Sequence, residues 1–342
     1  MSSNLDRTVR VIKLTQNENA FGTSPKALKA IEEHYRDAFR YPDVFHTALK
    51  QKLADHHQIA PEEIVVAAGS IELMDICIKT FVEGENNIVT AEITFEGYRY
   101  LARTNRKVCR LAPLTDHRID LGKMLQRCDD MTRIIFIANP NNPTGTMVTH
   151  SEMEAFLQAL PPTCCVVSDE AYSQYVTSEE FPNTLVLRKT FPNLIIFHTF
   201  SKIYGLAGLR IGYAIARPEL IERIMKFRTP FSINSLALAA ATAALDDADY
   251  LAQCAAVNEV ERRYLYQELE RLGFNVTESQ GNFLFIDFDS ADEKERMYEC
   301  LKSEGVFIRR LESFGAELGL RITVGRPEQN RVVVEVLTRC YR

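Results

Sequence analysis

A single lysine, Lys202, follows an apolar run and precedes three glycines and an arginine in the stretch HTFSKIYGLAGLRIGY. The run LIIFHTF has the β-branched and aromatic residues of a buried strand, and the glycines indicate a chain that turns closely against a neighbour. Most lysines are solvated surface charges. A lysine at the mouth of a buried strand is instead a candidate nucleophile, because removal from water frees the amine for reaction.

A carboxylate and a phenol occupy a similar place at the end of another apolar run. Asp169 and Tyr172 lie in the stretch SDEAY, directly after CCVV. A carboxylate at the end of a buried strand is costly unless it meets a cation. Two interpretations remain open: a core salt bridge, or contact of Asp169 with the protonated ring nitrogen of a ligand and of Tyr172 with a neighbouring oxygen.

Two further motifs suit an anion. At Gly69-Ser70-Ile71 an apolar run turns into a helical pattern, and the free N–H groups of a helix N-terminus attract anions. Ser201 lies beside Lys202, and Arg210, eight residues after it, carries a guanidinium suited to phosphate. Taken alone, the first motif is equally a glycine turn with a serine cap.

The last two motifs carry an amide and a buried arginine. NPNNPTG contains Asn142 in a rigid turn, and GLRITVG puts Arg321 in a strand, where it needs a carboxylate of the protein or of a substrate. Together the five motifs fit one ligand with a phosphate, a protonated pyridine nitrogen, a phenolic oxygen and an aldehyde for a lysine. That ligand is pyridoxal 5′-phosphate.

The elements that position these residues alternate. Short apolar strands are predicted at 64–69, 86–92, 133–139, 164–171 and 194–201, with helical patterns between them, which predicts an α/β fold with a mostly parallel sheet covered on both faces. Ligands bind at the carboxyl ends of such strands. The predicted domains are an N-terminal segment (1–40) packing on the small domain near the cleft, a large cofactor-binding domain (41–230) and a small α+β domain (231–342) that starts with one long helical segment over 235–271.

The composition of the chain limits the kinds of function that the protein can have. The chain has 342 residues with 40 basic and 46 acidic side chains, a net charge of −6, which argues against a nucleic-acid partner. Eight scattered cysteines without CxxC predict reduced core thiols in a cytoplasmic protein, with neither disulfide framework nor metal site. No apolar stretch suits a signal peptide or a membrane span.

The order and spacing of NPNNPTG, SDEAY, TFSK and GLAGLRIGY resemble the fold-type-I pyridoxal-phosphate-dependent aminotransferases. The resemblance is closest to the histidinol-phosphate aminotransferase branch, through NENAFG, YPD, GSIEL, TFEGY and GLRITVG, and it covers nearly the whole chain. Ala20 and Ile71 replace a proline and an aspartate of the family's motifs. We also find no equivalent of the longer N-terminal arm with its PY motif, which leaves the substrate open.

The resemblance implies a role for each matching residue. Lys202 would form a Schiff base with the cofactor and then move the proton between substrate and cofactor, while Asp169 would keep the pyridine nitrogen protonated. Tyr172 and Asn142 would bind the phenolic oxygen. The ring would stack on Phe95, and the phosphate would be held by Ser70, the Ile71 amide, Thr199, Ser201 and Arg210.

Further roles concern the substrate and a second subunit. Tyr41 would reach the phosphate from the partner subunit of a homodimer. Arg321, helped by Asn142, would bind the substrate carboxylate, Arg309 a distal phosphate or other side-chain group, and Asn19 the substrate. The expected reaction is a ping-pong amino transfer between glutamate and a 2-oxo acid or histidinol-phosphate-type substrate. Two alternatives are an aromatic amino acid aminotransferase and a decarboxylase resembling threonine-phosphate decarboxylase.

Overall fold

Two β-sheets organise the chain in the computed structural model, which describes residues 11–341. Elements are numbered along the chain. The larger sheet contains seven strands in the order β2-β8-β7-β6-β5-β3-β4. These strands are β2 (Ile64–Ala67), β3 (Asn87–Ala91), β4 (Cys109–Ala112), β5 (Thr132–Ala138), β6 (Cys165–Asp169), β7 (Leu194–Thr199) and β8 (Gly212–Ile215).

Six strands of the larger sheet run in one direction, and only β8 is antiparallel to its neighbours β2 and β7. Alternate residues of one strand belong to different apolar clusters: Val66 lies in the cluster on one face, and Val65 in the cluster on the other. Both faces are therefore covered, which explains the continuous apolar runs. The prediction of a mostly parallel sheet with helices on both faces is confirmed.

Helices surround both sheets. They are α1 (Pro25–His34), α2 (Thr47–His57), α3 (Ser70–Phe81), α4 (Gly97–Thr104), α5 (Leu121–Arg127), α6 (His150–Ala159), α7 (Thr184–Thr190), α8 (Pro218–Met225), α9 (Ser235–Ala244), α10 (Ala248–Arg271), α11 (Ala291–Ser303) and α12 (Pro327–Cys340). On one face of the larger sheet α2, α6 and α9 contribute to the apolar cluster; α3, α4 and α8 cover the other.

The smaller sheet has five strands in the order β1-β11-β12-β10-β9. They are β1 (Ile12–Leu14), β9 (Asn275–Thr277), β10 (Phe283–Asp287), β11 (Val306–Arg310) and β12 (Gly319–Thr323). Strand β1 pairs with β11 in parallel, so the start of the described chain joins the sheet formed by its end. This crossing brings the segment after β1 between the two sheets.

The structure divides the predicted helical segment 235–271 into α9 and α10. The break falls at Asp246 and Asp247, residues with low helix propensity. The Asp247 carboxylate accepts hydrogen bonds from the Ser24 hydroxyl (2.6 Å) and the Lys26 amide (3.3 Å). Those contacts tie the break to α1 and provide the physical reason why one continuous helix does not form.

One pair of cysteines differs from the sequence prediction. Cys300 of α11 and Cys340 of α12 form a disulfide, 40 residues apart in sequence, whereas the other six cysteines are free. The prediction of reduced thiols was wrong for this pair because the packing of α11 against α12, which the sequence spacing does not reveal, brings them together. Between residues 11 and 341 no helix is both long enough and apolar enough to cross a membrane.

Candidate active site

A cavity of about 280 Å³ lies where the carboxyl ends of β5, β6 and β7 face strands β11 and β12. The structure brings most of the predicted site residues together here. Those that line the cavity are Ser70, Ile71, Phe95, Asn142, Asp169, Tyr172, Thr199, Ser201, Lys202, Arg210, Arg309 and Arg321. The residues from the larger sheet converge because its parallel strands present their carboxyl ends at one edge. Arg309 and Arg321 come instead from β11 and β12 of the smaller sheet.

Lys202 lies in the turn that follows β7. Its Nζ donates a hydrogen bond to the Gln16 carbonyl oxygen at 2.9 Å and lies 5.5 Å from the centre of the Tyr172 ring. The turn is closed by a hydrogen bond from the Gly205 amide to the Lys202 carbonyl oxygen (2.9 Å). The amine is thus held at the cavity by a backbone carbonyl, with no carboxylate bonded to it among the described residues.

Asp169 ends β6 and is buried. The Tyr98 hydroxyl donates to its Oδ2 at 2.8 Å, while its Oδ1 has no hydrogen-bond partner in the described part of the chain. Burial raises the pKa of Asp169 to about 6, opposed by the Tyr98 hydrogen bond, the Ala171 amide and the charge of Lys202. A buried oxygen without a donor indicates that a ligand group supplies one.

The backbone and a guanidinium form a cradle for an anion at the start of α3. Gly69, with a φ of +84°, precedes Ser70 at the helix N-terminus, where amide groups are free. The Arg210 guanidinium lies 3.4 Å from the Ser201 hydroxyl. A Cβ at Gly69 would lie 2.6 Å from the Arg210 guanidinium, which would have to move, and the positive φ of Gly69 also favours glycine. The Ser201 amide donates to the Thr199 hydroxyl at 3.1 Å, which fixes this corner of the cradle.

Arg321 is buried at the opposite side of the cavity. It donates to the Asn142 side-chain oxygen and, at 2.7 Å, to the Thr15 carbonyl oxygen, and its Nε has no partner in the described residues. Burial lowers the pKa of Arg321 to about 10, so the guanidinium is still charged at neutral pH. A buried cation bonded only to neutral oxygens in the described structure fits the acidic group of a substrate.

Arg309 and Arg321 occupy facing positions on antiparallel strands β11 and β12. Their guanidinium carbons lie 5.6 and 5.5 Å from the centre of the Phe314 ring. The Arg309 side chain also pairs with Glu96 (3.3 Å), next to Phe95. The two arginines and one carboxylate leave this end of the cavity with a net positive charge.

Three residues of the site were not identified from the sequence. Asn17 and Glu96 line the cavity, and Tyr98 lies behind Asp169. The Asn17 side chain donates to the Tyr172 hydroxyl at 3.0 Å. The sequence offers only weak signals for them: Asn17 lies in NENAFG, and Glu96 and Tyr98 lie in TFEGY beside Phe95.

The structure does not place Asn19 among the residues that line the cavity. Its side-chain amide donates to the Ile203 carbonyl oxygen at 2.7 Å, directly after Lys202. Asn17 occupies the position facing the cavity instead. Tyr41 is also absent from the lining; it is 85% exposed and packs on Phe231 at 5.0 Å.

A family model described as aminotransferase class I and II matches residues 9–337. The chain belongs to this family. It is 40% identical over 332 residues to a histidinol-phosphate aminotransferase of Geobacillus thermodenitrificans, covering 97% of this chain and 90% of that protein. A histidinol-phosphate aminotransferase 2 of Pseudomonas fluorescens is 38% identical over 329 residues, with 96% and 89% covered.

Solved structures agree with the family assignment. A histidinol-phosphate aminotransferase from Sinorhizobium meliloti, in complex with pyridoxal 5′-phosphate, superposes with a TM-score of 0.91 at 29% identity, covering 97% of this chain and 91% of that one. A mutant aspartate aminotransferase of Thermus thermophilus, 19% identical with 96% and 91% covered, shares the fold with a TM-score of 0.85. The fold is that of the fold-type-I pyridoxal-phosphate enzymes.

The chain is a pyridoxal-phosphate-dependent aminotransferase, and the residues of the cavity fit that cofactor. Asp169 offers the free buried oxygen Oδ1 for a ring N–H, and Lys202 offers an amine for the aldehyde. Ser70, Ser201 and Arg210 offer a phosphate site at a helix N-terminus.

Proposed function

We propose that this aminotransferase transfers an amino group between glutamate and a phosphate-bearing substrate of the histidinol-phosphate type. The observation that carries the proposal is the pair Arg309 and Arg321, opposite each other on β11 and β12 with Phe314 beside both. Like charges on facing strand positions are unfavourable unless an anion lies between them. Glu96 pairs with Arg309 and neutralises one of the two positive charges. A phosphate dianion would neutralise both.

Histidinol phosphate carries its phosphate where an amino acid carries its carboxylate, since its α-carbon bears a phosphorylated hydroxymethyl group. We therefore assign Arg321 to the α-carboxylate of glutamate in one half-reaction and to the phosphate in the other, with Arg309 joining for the phosphate. Asn142 orients Arg321, because its side-chain oxygen accepts a guanidinium hydrogen bond. The Arg321 Nε has no hydrogen-bond partner among the described residues, so it is available to either acid.

When bound, the cofactor supplies an aldehyde carbon and a ring that accepts the electron pair released at the substrate α-carbon. In the proposed mechanism Lys202 holds the cofactor and then takes and returns the α-proton. Asp169 keeps a proton on the ring nitrogen through Oδ1. Tyr172 and Asn142 hold the phenolic oxygen, and Phe95 covers one face of the ring. Ser70, Ile71, Thr199, Ser201 and Arg210 bind the phosphate at the start of α3.

A homodimer completes the proposed site. Phe39, Tyr41 and Phe45 are 78%, 85% and 70% exposed, and three large exposed aromatic residues within a short segment suit an interface. Tyr41 packs on Phe231, and the next residue, Ser232, donates to Glu72 in the first turn of α3 at 3.2 Å. An interface on this surface would therefore bring a partner subunit close to the first turn of α3, which fits the proposed contribution of the partner's Tyr41 to the cradle.

Subunit complementation tests this arrangement. Tyr41→Ala and Lys202→Ala subunits are each expected to form weakly active or inactive homodimers. Mixing them creates hybrid dimers in which one site has both Lys202 and the other subunit's Tyr41, so activity should reappear. Mixtures that stay inactive while co-purification of differently tagged subunits shows hybrid dimers would exclude the shared site. A cytoplasmic location and domain boundaries at residues 40 and 230 stay predictions from the sequence.

The substrate is tested by half-reactions followed through the absorbance of the bound cofactor. Histidinol phosphate and glutamate should each convert it to the amino form. Histidinol without the phosphate should show a kcat/KM lower by about 100-fold, because the buried Arg321 would have no anionic partner. Arg309→Gln should reduce the preference for the phosphate, whereas Arg310→Gln should not, because Arg310 pairs instead with Glu295 and Glu312. Faster conversion by phenylalanine or tyrosine, or release of carbon dioxide from threonine phosphate, would contradict the proposal.

A further inference from the structure

Tyr98 is a fully buried tyrosine that touches two residues of the site at once. It lies in the first turn of α4 with 0% exposure, and its hydroxyl donates to Asp169 Oδ2 at 2.8 Å. Its ring stacks on Phe136 (4.9 Å, 10°) and meets the edge of Phe95 (5.6 Å, 87°). One side chain therefore connects the aromatic residue and the carboxylate on which the cofactor ring would rest.

We propose that Tyr98 is a positioning residue of the reaction: its hydroxyl fixes the Asp169 carboxylate with Oδ1 toward the cavity and keeps the shared proton on the cofactor's ring nitrogen. The proposal rests on the role proposed above for Asp169. The geometry supports it because Tyr98 occupies Oδ2 and leaves Oδ1 as the free oxygen. Tyr98 contacts both residues that would support the cofactor ring: it packs on the edge of Phe95 and donates a hydrogen bond to Asp169.

The groups that face Asp169 make the hydroxyl decisive. They are Tyr98 from α4, Lys202 after β7 and Glu170 after β6. Tyr98 provides the only side-chain hydrogen bond to this carboxylate within residues 11–341. Burial raises the pKa of Tyr98 well above its usual value, so the phenol keeps its proton and always donates.

A hydrogen bond to one oxygen of a carboxylate stabilises its ionised form and makes it a weaker base. With the hydroxyl present, a proton between Oδ1 and a pyridine nitrogen therefore stays on the nitrogen. Without it, Asp169 becomes more basic, and the proton moves toward the carboxylate. The ring then accepts electrons less well, while substrate binding at the arginines, on the other side of the cavity, is unchanged.

The test compares Tyr98→Phe with Tyr266→Phe, each loaded with cofactor carrying nitrogen-15 in its ring. Tyr266 is a matched control because its hydroxyl also donates to a carboxylate, Glu270, at 2.7 Å, but on the exposed side of α10. Tyr98→Phe should shift the nitrogen-15 signal toward that of an unprotonated pyridine. It should lower kcat about tenfold with little change in KM and weaken cofactor binding several-fold, as expected for loss of a hydrogen bond to a charged group. Tyr266→Phe should change none of these.

Replacing Tyr98 with 3-fluorotyrosine keeps the shape and strengthens the donor, so the pH at which the nitrogen-15 signal changes to that of an unprotonated pyridine should rise, and an unchanged pH would contradict the proposal. This variant also serves if Tyr98→Phe does not fold. An unchanged signal in Tyr98→Phe would overturn the proposal when Asp169→Asn does shift it. If Asp169→Asn leaves the signal unchanged as well, the proposed role of Asp169 itself fails, which distinguishes the two errors.

Discussion

The Asn17 side chain donates a hydrogen bond to the Tyr172 hydroxyl across 155 residues of sequence, at 3.0 Å. Asn17 is buried and adopts a left-handed backbone conformation (φ +55°), which asparagine tolerates better than most residues. Its two predecessors also contact the site: the Gln16 carbonyl accepts from Lys202, and the Thr15 carbonyl accepts from Arg321. The segment after β1 thus orients three side chains of the site with three consecutive residues.

Asn17→Gly should therefore reduce activity. Glycine accepts the positive φ but removes the donor to Tyr172, so we expect kcat to fall about tenfold, as for loss of one buried hydrogen bond. Steady-state kinetics with saturating substrates measures the change. Thr323→Val is the matched control, because Thr323 accepts from the Asn17 amide (3.0 Å) and donates to its side-chain oxygen (3.1 Å) without touching Tyr172. Equal losses in the two variants would show that Asn17 acts only through stability.

Lys202→Ala should lower turnover by about 1,000-fold or more, since it removes both the covalent attachment and the base for the α-proton. Borohydride reduction of the loaded enzyme should attach the cofactor to the peptide that contains Lys202. Lys226→Ala, at the carboxyl end of α8, should keep both activity and labelling. A labelled peptide elsewhere in the Lys202→Ala variant would assign the attachment to another lysine.

The strands and the residues at their carboxyl ends were predictable from the sequence. β6 and β7 are continuous apolar runs because both faces of the sheet are covered, and Asp169 and Lys202 follow them directly. Strands β1, β4 and β8 were not predicted, for different reasons, and β4 is only partly buried. β1 has only three residues with an exposed middle one, and β8 runs antiparallel within an otherwise parallel sheet.

The contacts that other residues make with the site residues were not predictable from the sequence, because they depend on packing between distant segments. Tyr98 reaches Asp169 over 71 residues of sequence, and Arg309 reaches Glu96 over 213. Nothing in the local pattern of TFEGY distinguishes the hydroxyl that bonds a carboxylate from one that points into an apolar core. The motif NENAFG indicated the correct segment but not the correct residue: Asn17 lines the cavity, whereas Asn19 does not.

Glu170 makes the stability of the folded protein depend on pH, independently of catalysis. It is buried, accepts from the Ser168 hydroxyl at 3.0 Å, and burial raises its pKa to about 8 from 4.5. Its neighbour His198, 3.9 Å away, has a pKa lowered by burial to about 3, so the two do not form an ion pair near neutral pH. The folded state binds the Glu170 proton more tightly than the unfolded state, so stability falls as pH rises from 4.5 to 8.

The substitution Glu170→Gln should remove the loss of stability that occurs as the pH rises. At pH 5 we expect a free energy of unfolding close to that of the wild type; at pH 9 the variant should be more stable, on the order of a few kcal/mol. Urea unfolding of the cofactor-free protein at the two pH values measures the difference. Destabilisation at pH 9 would mean that Glu170 is ionised and paired in the folded state.

Gly205 fixes the turn that carries Lys202. Its φ is +70°, and a Cβ there would lie 2.0 Å from the Gly22 carbonyl oxygen and 2.8 Å from the Thr23 Cα, both backbone atoms that have little room to move. Gly205→Ala should therefore cost about 2–4 kcal/mol of stability through backbone strain and overpacking, and should displace Lys202. Gly208→Ala, three residues on, meets nothing within 4 Å and should be nearly neutral. Thermal unfolding and cofactor binding measure both variants, and equal behaviour of the two would mean that the Gly22–Gly205 contact does not hold the turn.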